Sequence, residues 1–142
     1  MSVLVNCRLP EKLKQELEKS EIPLAVYQLV DGKITAVLVS DGLVLWQAPG
    51  RTRKDLLNFL GEDMYKNVHS EDLVYVATKS AEFEKEKNGR YDVVYRQKLY
   101  GKDEYRNIHA VGYHRYLEDN SKCTIVVYDD VTAAIASNGE SR

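Results

Sequence analysis

Residues 90–132 read RYDVVYRQKLYGKDEYRNIHAVGYHRYLEDNSKCTIVVYDDVT, and this stretch decides the fold. Three long strand-like segments run back to back. They are joined by Tyr100-Gly101-Lys102-Asp103 and Glu118-Asp119-Asn120-Ser121, and the run stops on Tyr128-Asp129-Asp130-Val131-Thr132. Turns this short cannot return a chain in parallel register, so the meander is antiparallel by construction.

Working outward, Leu24-Ala25-Val26-Tyr27-Gln28-Leu29-Val30 and Ile34-Thr35-Ala36-Val37-Leu38-Val39 flank Asp31-Gly32-Lys33. An Asp-Gly step between two β-branched runs predicts a second hairpin. Ser40-Asp41-Gly42 ends it and begins Leu43-Val44-Leu45-Trp46, an apolar run without alternation that reads as a short helix broken by Pro49-Gly50. Thr52 can cap a helix bearing Leu56, Leu57 and Leu60, with Gly61 to close it. His69-Ser70-Glu71-Asp72 opens a longer helix, with Ser70 as its expected cap. Its stripe is Leu73, Val76, Ala77, Ser80 and Phe83, and Asn88-Gly89 stops it.

Ahead of the first strand, residues 10–20 carry Leu13 and Leu17 among Glu, Lys and Gln, with Leu9 one turn earlier. This is an amphipathic helix with one narrow stripe, and Pro10 suits its first position. The expected organisation is therefore an N-terminal helix or cap over 1–21, a domain over 22–132, and a linker or the start of a signalling helix over 133–142.

The 142 residues carry a formal net charge of -2. That length suits one domain burying roughly two thirds of its unfolded surface, and the balance of charge lacks the positive field of a nucleic-acid binder. Cys7 and Cys123 have neither the density of a disulfide scaffold nor zinc-knuckle spacing, and read as reduced thiols. No stretch approaches the ~20 apolar residues that span a bilayer. The expectation is a cytoplasmic chain with no membrane segment.

The order strand, strand, short helices, long helix, strand, strand, strand resembles the PAS domain family. So do Ser40-Asp41-Gly42 after the second strand, His69-Ser70-Glu71-Asp72 at the start of the long helix, and the closing Asp130-Val131-Thr132. Tyr95-Arg96, Tyr105-Arg106, Ile108-His109-Ala110 and Ile22-Pro23-Leu24-Ala25-Val26-Tyr27-Gln28 are similar to the PAS-type input modules placed ahead of bacterial diguanylate cyclase (GGDEF) domains. The resemblance implies an α+β PAS fold: a five-stranded antiparallel sheet in the order 2-1-5-4-3, with helices over one face. It also implies a sensor or dimerisation module in two-component or cyclic-di-GMP signalling, whose output domain lies beyond Arg142.

Such a fold holds small molecules between sheet and helices. Alternation puts Tyr105, Asn107, His109, Val111 and Tyr113 on one face of the fourth strand, and Thr124, Val126 and Tyr128 on one face of the fifth. The resemblance to cofactor-holding PAS domains makes these the inward sets, joined by Tyr27, Val37 and Val39 from the first hairpin and by Val93 and Tyr95 from the third strand. The expected ligand-binding residues are thus Tyr27, Val39, Tyr95, Asn107, His109, Tyr113 and Tyr128. The competing reading is that the same side chains fill the core and bond to backbone or water.

Ile125 and Val127, on the other face of the last strand, are also apolar. Either the Leu13 and Leu17 stripe or a second copy of the chain must cover them, and this is the argument for a homodimer. Asp130 and Thr132 form the expected stop between the last strand and the following helix, the junction through which PAS proteins transmit a signal.

No cofactor is identified by the sequence. Asn6-Cys7-Arg8 is similar to the core of light-sensing flavin PAS domains, but that cysteine belongs on a helix after the second strand, so a flavin photocycle is rejected. His69, His109 and His114 pair with no Cys, Asp or Glu at helical ligand spacing, and His109 and His114 face opposite sides of one strand, which argues against haem or a metal. The functional expectation is a non-catalytic sensor module that binds a small ligand or mediates dimerisation. The alternatives are a ligand-free interaction scaffold and a small enzyme using Tyr113, His109 and Asp129.

Overall fold

The structure is a computed structural model that describes residues 9–30, 32–61 and 65–140. Its elements are α1 (Glu11–Glu18), β1 (Leu24–Val30), β2 (Lys33–Val39), α2 (Asp41–Gln47), α3 (Arg53–Leu60), α4 (Leu73–Lys85), β3 (Arg90–Lys98), β4 (Tyr105–Tyr116), β5 (Lys122–Asp130) and α5 (Thr132–Glu140). The strands form one antiparallel sheet in the order β2-β1-β5-β4-β3.

Both closing hairpins turn where the sequence expects. Gly101 adopts φ 68° in the first, and Asn120 adopts φ 66° in the second, the left-handed region that asparagine tolerates better than most side chains.

Local chemistry sets the helix starts. Thr52 and Asp55 form a reciprocal capping box on α3, each side chain accepting the other's backbone N–H at 3.1 Å. Ser40 is fully buried; its hydroxyl accepts from Leu43 N at 3.1 Å, which caps α2, and from Leu24 N at 3.0 Å, and donates to Ile22 O at 2.7 Å. At the long helix the cap is His69, not Ser70. Its Nδ1 accepts from Glu71 N at 3.0 Å, and a 3-10 turn over Ser70–Asp72 leads into α4.

The core divides at the sheet. On the face toward α2, α3 and α4 it gathers Tyr27, Ala36, Val39, Leu43, Leu56, Val76, Val93, Tyr95, Ile108, Ala110, Val126 and Tyr128. On the other face Leu9, Leu24, Val26, Val37, Leu38 and Cys123 form a smaller cluster, with Leu17 and Ile125 against it. The pairing of β1 with β2 slips by one between Val26 and Tyr27, so Val26 opposes Leu38 while Tyr27 opposes Ala36. Val37 is the extra residue. This bulge corrects the expected placement of Val37 beside Val39: Val37 and Leu38 both belong to the outer cluster, and Val39 to the inner one.

Leu9 and Leu17 thus cover one end of the outer face, as the leucine stripe led one to expect, and Leu13 stays 40% exposed. Ile125 is partly covered by this cluster, whereas Val127 lies beyond it at 37% exposure. No helix among the described residues is long and apolar enough to cross a membrane. Cys123 is a buried, reduced thiol, and the readings of Asp31 and of Asn6-Cys7-Arg8 lie outside the described residues.

Candidate functional site

A cavity of about 260 Å³ lies between the sheet and the helices. The sheet contributes Tyr27 from β1, Tyr91, Tyr95 and Gln97 from β3, and Thr124, Val126 and Tyr128 from β5. The helical side contributes Leu43 and Gln47 from α2, Leu60 from α3, and Val76, Ala77, Ser80 and Phe83 from α4. Three of the predicted α4 stripe residues are therefore small or β-branched where they meet the cavity, and this is what leaves space there.

Most of the polar groups in the wall pair with one another. The hydroxyls of Tyr27 and Tyr128 share one hydrogen bond, Tyr95 Oη donates to Gln97 Oε1 at 3.3 Å, and Ser80 Oγ donates to Tyr91 Oη at 3.3 Å. Burial pushes the Tyr27 and Tyr91 phenols up to about 12, and drives those of Tyr95 and Tyr128 well above their ordinary value. All four are neutral hydroxyls at physiological pH. Gln47 is 2% exposed, and its Oε1 is buried with no hydrogen-bond partner among the described residues.

Of the residues expected at the ligand, Tyr27, Tyr95 and Tyr128 line this cavity, and Val39 is buried in the same core without reaching its wall. Asn107, His109 and Tyr113 do not. The inward residues of β4 are Ile108 and Ala110, both fully buried, followed by Gly112, which pairs with the cavity-lining residues Tyr91 and Val126. Hence Tyr105, Asn107, His109, Val111 and Tyr113 face the opposite side. There His109 Nε2 lies 2.7 Å from Asp92 Oδ1, and Tyr113 is 48% exposed with the Arg90 guanidinium over its ring. The physical reason at the end beside the cavity is space: a Cβ on Gly112 would stand 3.1 Å from Val126 Cγ2 and 3.2 Å from Tyr91 Cβ, so the inward face of β4 has little room for a side chain at that position. The alternation of Ile108, Ala110 and Gly112 against bulky polar neighbours was the signal that identifies the inward face. Gln47 carried no such signal in the sequence.

The other two histidines bond locally. His69 caps its turn and its ring lies 4.7 Å from that of Tyr105. His114 stacks on Phe83, its Nε2 bonds Phe83 O at 2.8 Å, and its Nδ1 bonds Thr124 Oγ1 at 2.8 Å. A carbonyl only accepts, so Nε2 carries a hydrogen and donates it to Phe83 O. Among the described residues no three His, Cys, Asp or Glu side chains converge as a metal site.

Two carboxylates fasten the site's frame. Asp72 takes the Arg96 side chain at 2.9 and 3.0 Å and the Arg96 backbone N–H at 2.8 Å, tying the start of α4 to β3. The Arg96 guanidinium holds this carboxyl below its usual range, against the opposing effect of burial. At the end of β5, burial pushes Asp130 up, and the hydrogen bonds from Thr132 and Arg106 outweigh it, so its pKa is lowered. Asp130 accepts from Arg106 Nε at 2.9 Å and from Thr132 N at 3.0 Å, and Thr132 Oγ1 accepts from Asn107 N at 2.8 Å. The closing Asp-Val-Thr is thus a knot that joins β4, β5 and the first turn of α5.

No family model matches the chain, and no curated protein matches its sequence. Solved structures do match. A sensory box histidine kinase/response regulator from Burkholderia thailandensis shares 16% identity at a TM-score of 0.59, with 93% of each chain covered. The PAS domain of a Colwellia psychrerythraea protein shares 14% identity at 0.61, covering 87% of this chain and 99% of its own. The N-terminal domain of a diguanylate cyclase with a PAS/PAC sensor from Marinobacter aquaeolei shares 12% at 0.57, covering 78% and 97%. Identities this low establish fold alone: the chain has the PAS fold, with the strand order and helix placement that the sequence led one to expect.

Proposed function

We propose that this chain is a non-catalytic PAS sensor module that holds a small molecule between sheet and helices and passes its presence to a C-terminal output domain. The observation that carries this reading is the 260 Å³ cavity reaching Tyr128, two residues before the Asp130-Val131-Thr132 knot. Tyr128 lines the cavity on the strand that ends in α5, so a ligand favouring one setting of Tyr128 biases the direction in which α5 leaves the sheet. Such coupling needs only a difference in affinity between two arrangements. The likeness to the Burkholderia, Colwellia and Marinobacter structures supports the same class, and the Marinobacter protein makes a diguanylate cyclase the favoured output beyond Arg142. A cytoplasmic setting fits a module of this kind.

The module works as a homodimer in this reading. Supporting this, Val94, Tyr113 and Val127 are 44%, 48% and 37% exposed on the face of the sheet that α1 leaves open. This patch also favours the second reading, an interaction scaffold whose cavity serves no ligand.

Native mass spectrometry of the gently purified protein separates the two. A small molecule retained by the wild type, and lost on Tyr128→Phe or on Ala77→Leu, is the expected result. A clean protein mass that no extract of the expressing cells alters favours the scaffold.

A further inference from the structure

The cavity wall offers hydrogens in excess, and the ligand class that follows from this rests on the sensor reading. The Tyr27 and Tyr128 hydroxyls hold two hydrogens and their mutual bond uses one, so one is left to donate. The Ser80 and Tyr91 hydroxyls stand in the same relation and leave another. Gln97 accepts from Tyr95 through Oε1, and both hydrogens of its Nε2 are without a partner among the described residues. At Gln47 the amide oxygen is sealed away from the cavity. Its Nε2, also without a partner among the described residues, is the end of the amide that the cavity reaches. Spare donors therefore stand on the sheet at Tyr27–Tyr128 and Gln97 and on the helices at Gln47, with the Ser80–Tyr91 pair between the two.

Side-chain acceptors are scarcer. Thr124 Oγ1 is bonded to His114, Gln97 Oε1 is in use and Gln47 Oε1 is out of reach. What stays open is the oxygen of the hydroxyl groups and the Glu84 carboxylate, which is 31% exposed and paired with Lys122 at 2.7 Å. The imbalance matters because a buried N–H or O–H without an acceptor is costly, whereas an unused lone pair is better tolerated. Charge narrows the class further. No described Lys, Arg or Asp lines the cavity, so an ionised ligand would leave water and find no free counter-charge. At 260 Å³, filled to the density of a protein interior, the cavity takes on the order of ten non-hydrogen atoms.

We infer that the cavity takes a neutral molecule of about this size that brings at least two hydrogen-bond acceptors and no donor. Aromatic diazines and cyclic diketones are the simplest members of that class.

The test uses the whole chain and four neutral bicyclic probes of nearly one shape. Quinoxaline has two acceptors, quinoline one, indole a donor and no lone-pair acceptor, and naphthalene neither. Each is titrated at mildly alkaline pH while backbone amide resonances of Tyr27, Val76, Ala77 and Tyr128 are followed. Quinoxaline is expected to shift these resonances saturably and to bind at least about tenfold more tightly than indole, although indole is the more apolar of the two, with quinoline between them. Gln47→Met removes spare hydrogens and breaks no hydrogen bond among the described residues. It is expected to weaken quinoxaline about fivefold and to leave naphthalene no weaker. Should Gln47→Met fold poorly, the Ser80→Ala/Tyr91→Phe double variant, which clears that hydroxyl pair, gives the same contrast, and the wild-type series is informative without either. If indole binds as tightly as quinoxaline, or if the folded variant fails to weaken quinoxaline more than naphthalene, the inferred ligand class is wrong while the pocket reading stands. If no probe moves these resonances at millimolar concentration, the class is wrong and Ala77→Leu decides the pocket. A raised melting temperature then makes the cavity loosely filled core, so that both readings fall, and a lowered one leaves the sensor reading in place.

Discussion

Ser40 shows how one small side chain can organise the approach to a site. Its hydroxyl uses its full capacity, donating once and accepting twice, and all three partners are backbone groups from two separate segments. The first segment enters β1 and the second begins α2, which carries Gln47 to the cavity. Ser40→Ala removes the cap of α2, leaves the buried N–H groups of Leu24 and Leu43 short of a partner, and frees the Ile22 carbonyl. A loss of about 2–4 kcal/mol is expected, read as a lower urea midpoint at unchanged slope. A loss under about 0.5 kcal/mol would mean that water replaces the hydroxyl, and that Ser40 is not what positions α2.

At the scale of elements, the hairpins and the start of α3 were legible because turn residues and caps are local chemistry: Thr52 with Asp55, Gly101 and Asn120 each work within a few residues, whereas the strand order came from the resemblance to PAS domains. The inward face of β4 was not legible in the same way. Alternation offers two sets, and choosing the one with tyrosine, asparagine and histidine presumed that polar handles belong to a pocket. The proximity of Val126 and Tyr91 to Gly112 decides otherwise, and that is a tertiary fact. Gln47 escaped for a related reason, since one glutamine in a seven-residue helix has no periodicity to interpret.

The link from α4 to β3 makes a prediction about acid. The Asp72 carboxyl is lowered by its bonds to Arg96, so its contribution is complete above the unfolded aspartate value near ~4 and disappears as pH falls through the lower folded value. Wild-type stability is therefore expected to fall progressively below about pH 4, and Asp72→Asn to be less stable at neutral pH with a flatter acid limb. Parallel acid limbs for the two proteins would show that Asp72 does not supply this dependence.

For the whole molecule, the uncovered part of the sheet face is the testable surface. α1 closes the end over Val37, Leu38 and Cys123, and Val94, Tyr113 and Val127 remain beyond it. Sedimentation of the wild type is expected to show dimers at micromolar concentration. Val127→Glu, which buries an unpaired charge only if that face is covered, is expected to give monomers with little change in melting temperature. A wild type that sediments as a monomer at every concentration removes the dimer from the proposal.

The bulge at Val37 has a further consequence, for solubility. A sheet is vulnerable where an outer strand offers unpaired backbone to a neighbouring molecule. At the Arg96–Lys98 end of β3 the chain ahead of α4 occupies that position itself: His69 N donates to Arg96 O and Lys98 N donates to Asn67 O, both at 2.9 Å. At β2 the slip between Val26 and Tyr27 interrupts the regular spacing that a sixth strand would have to match. With the end of one margin occupied and the other margin irregular, the sheet resists at both places the strand-by-strand growth that leads to fibrils.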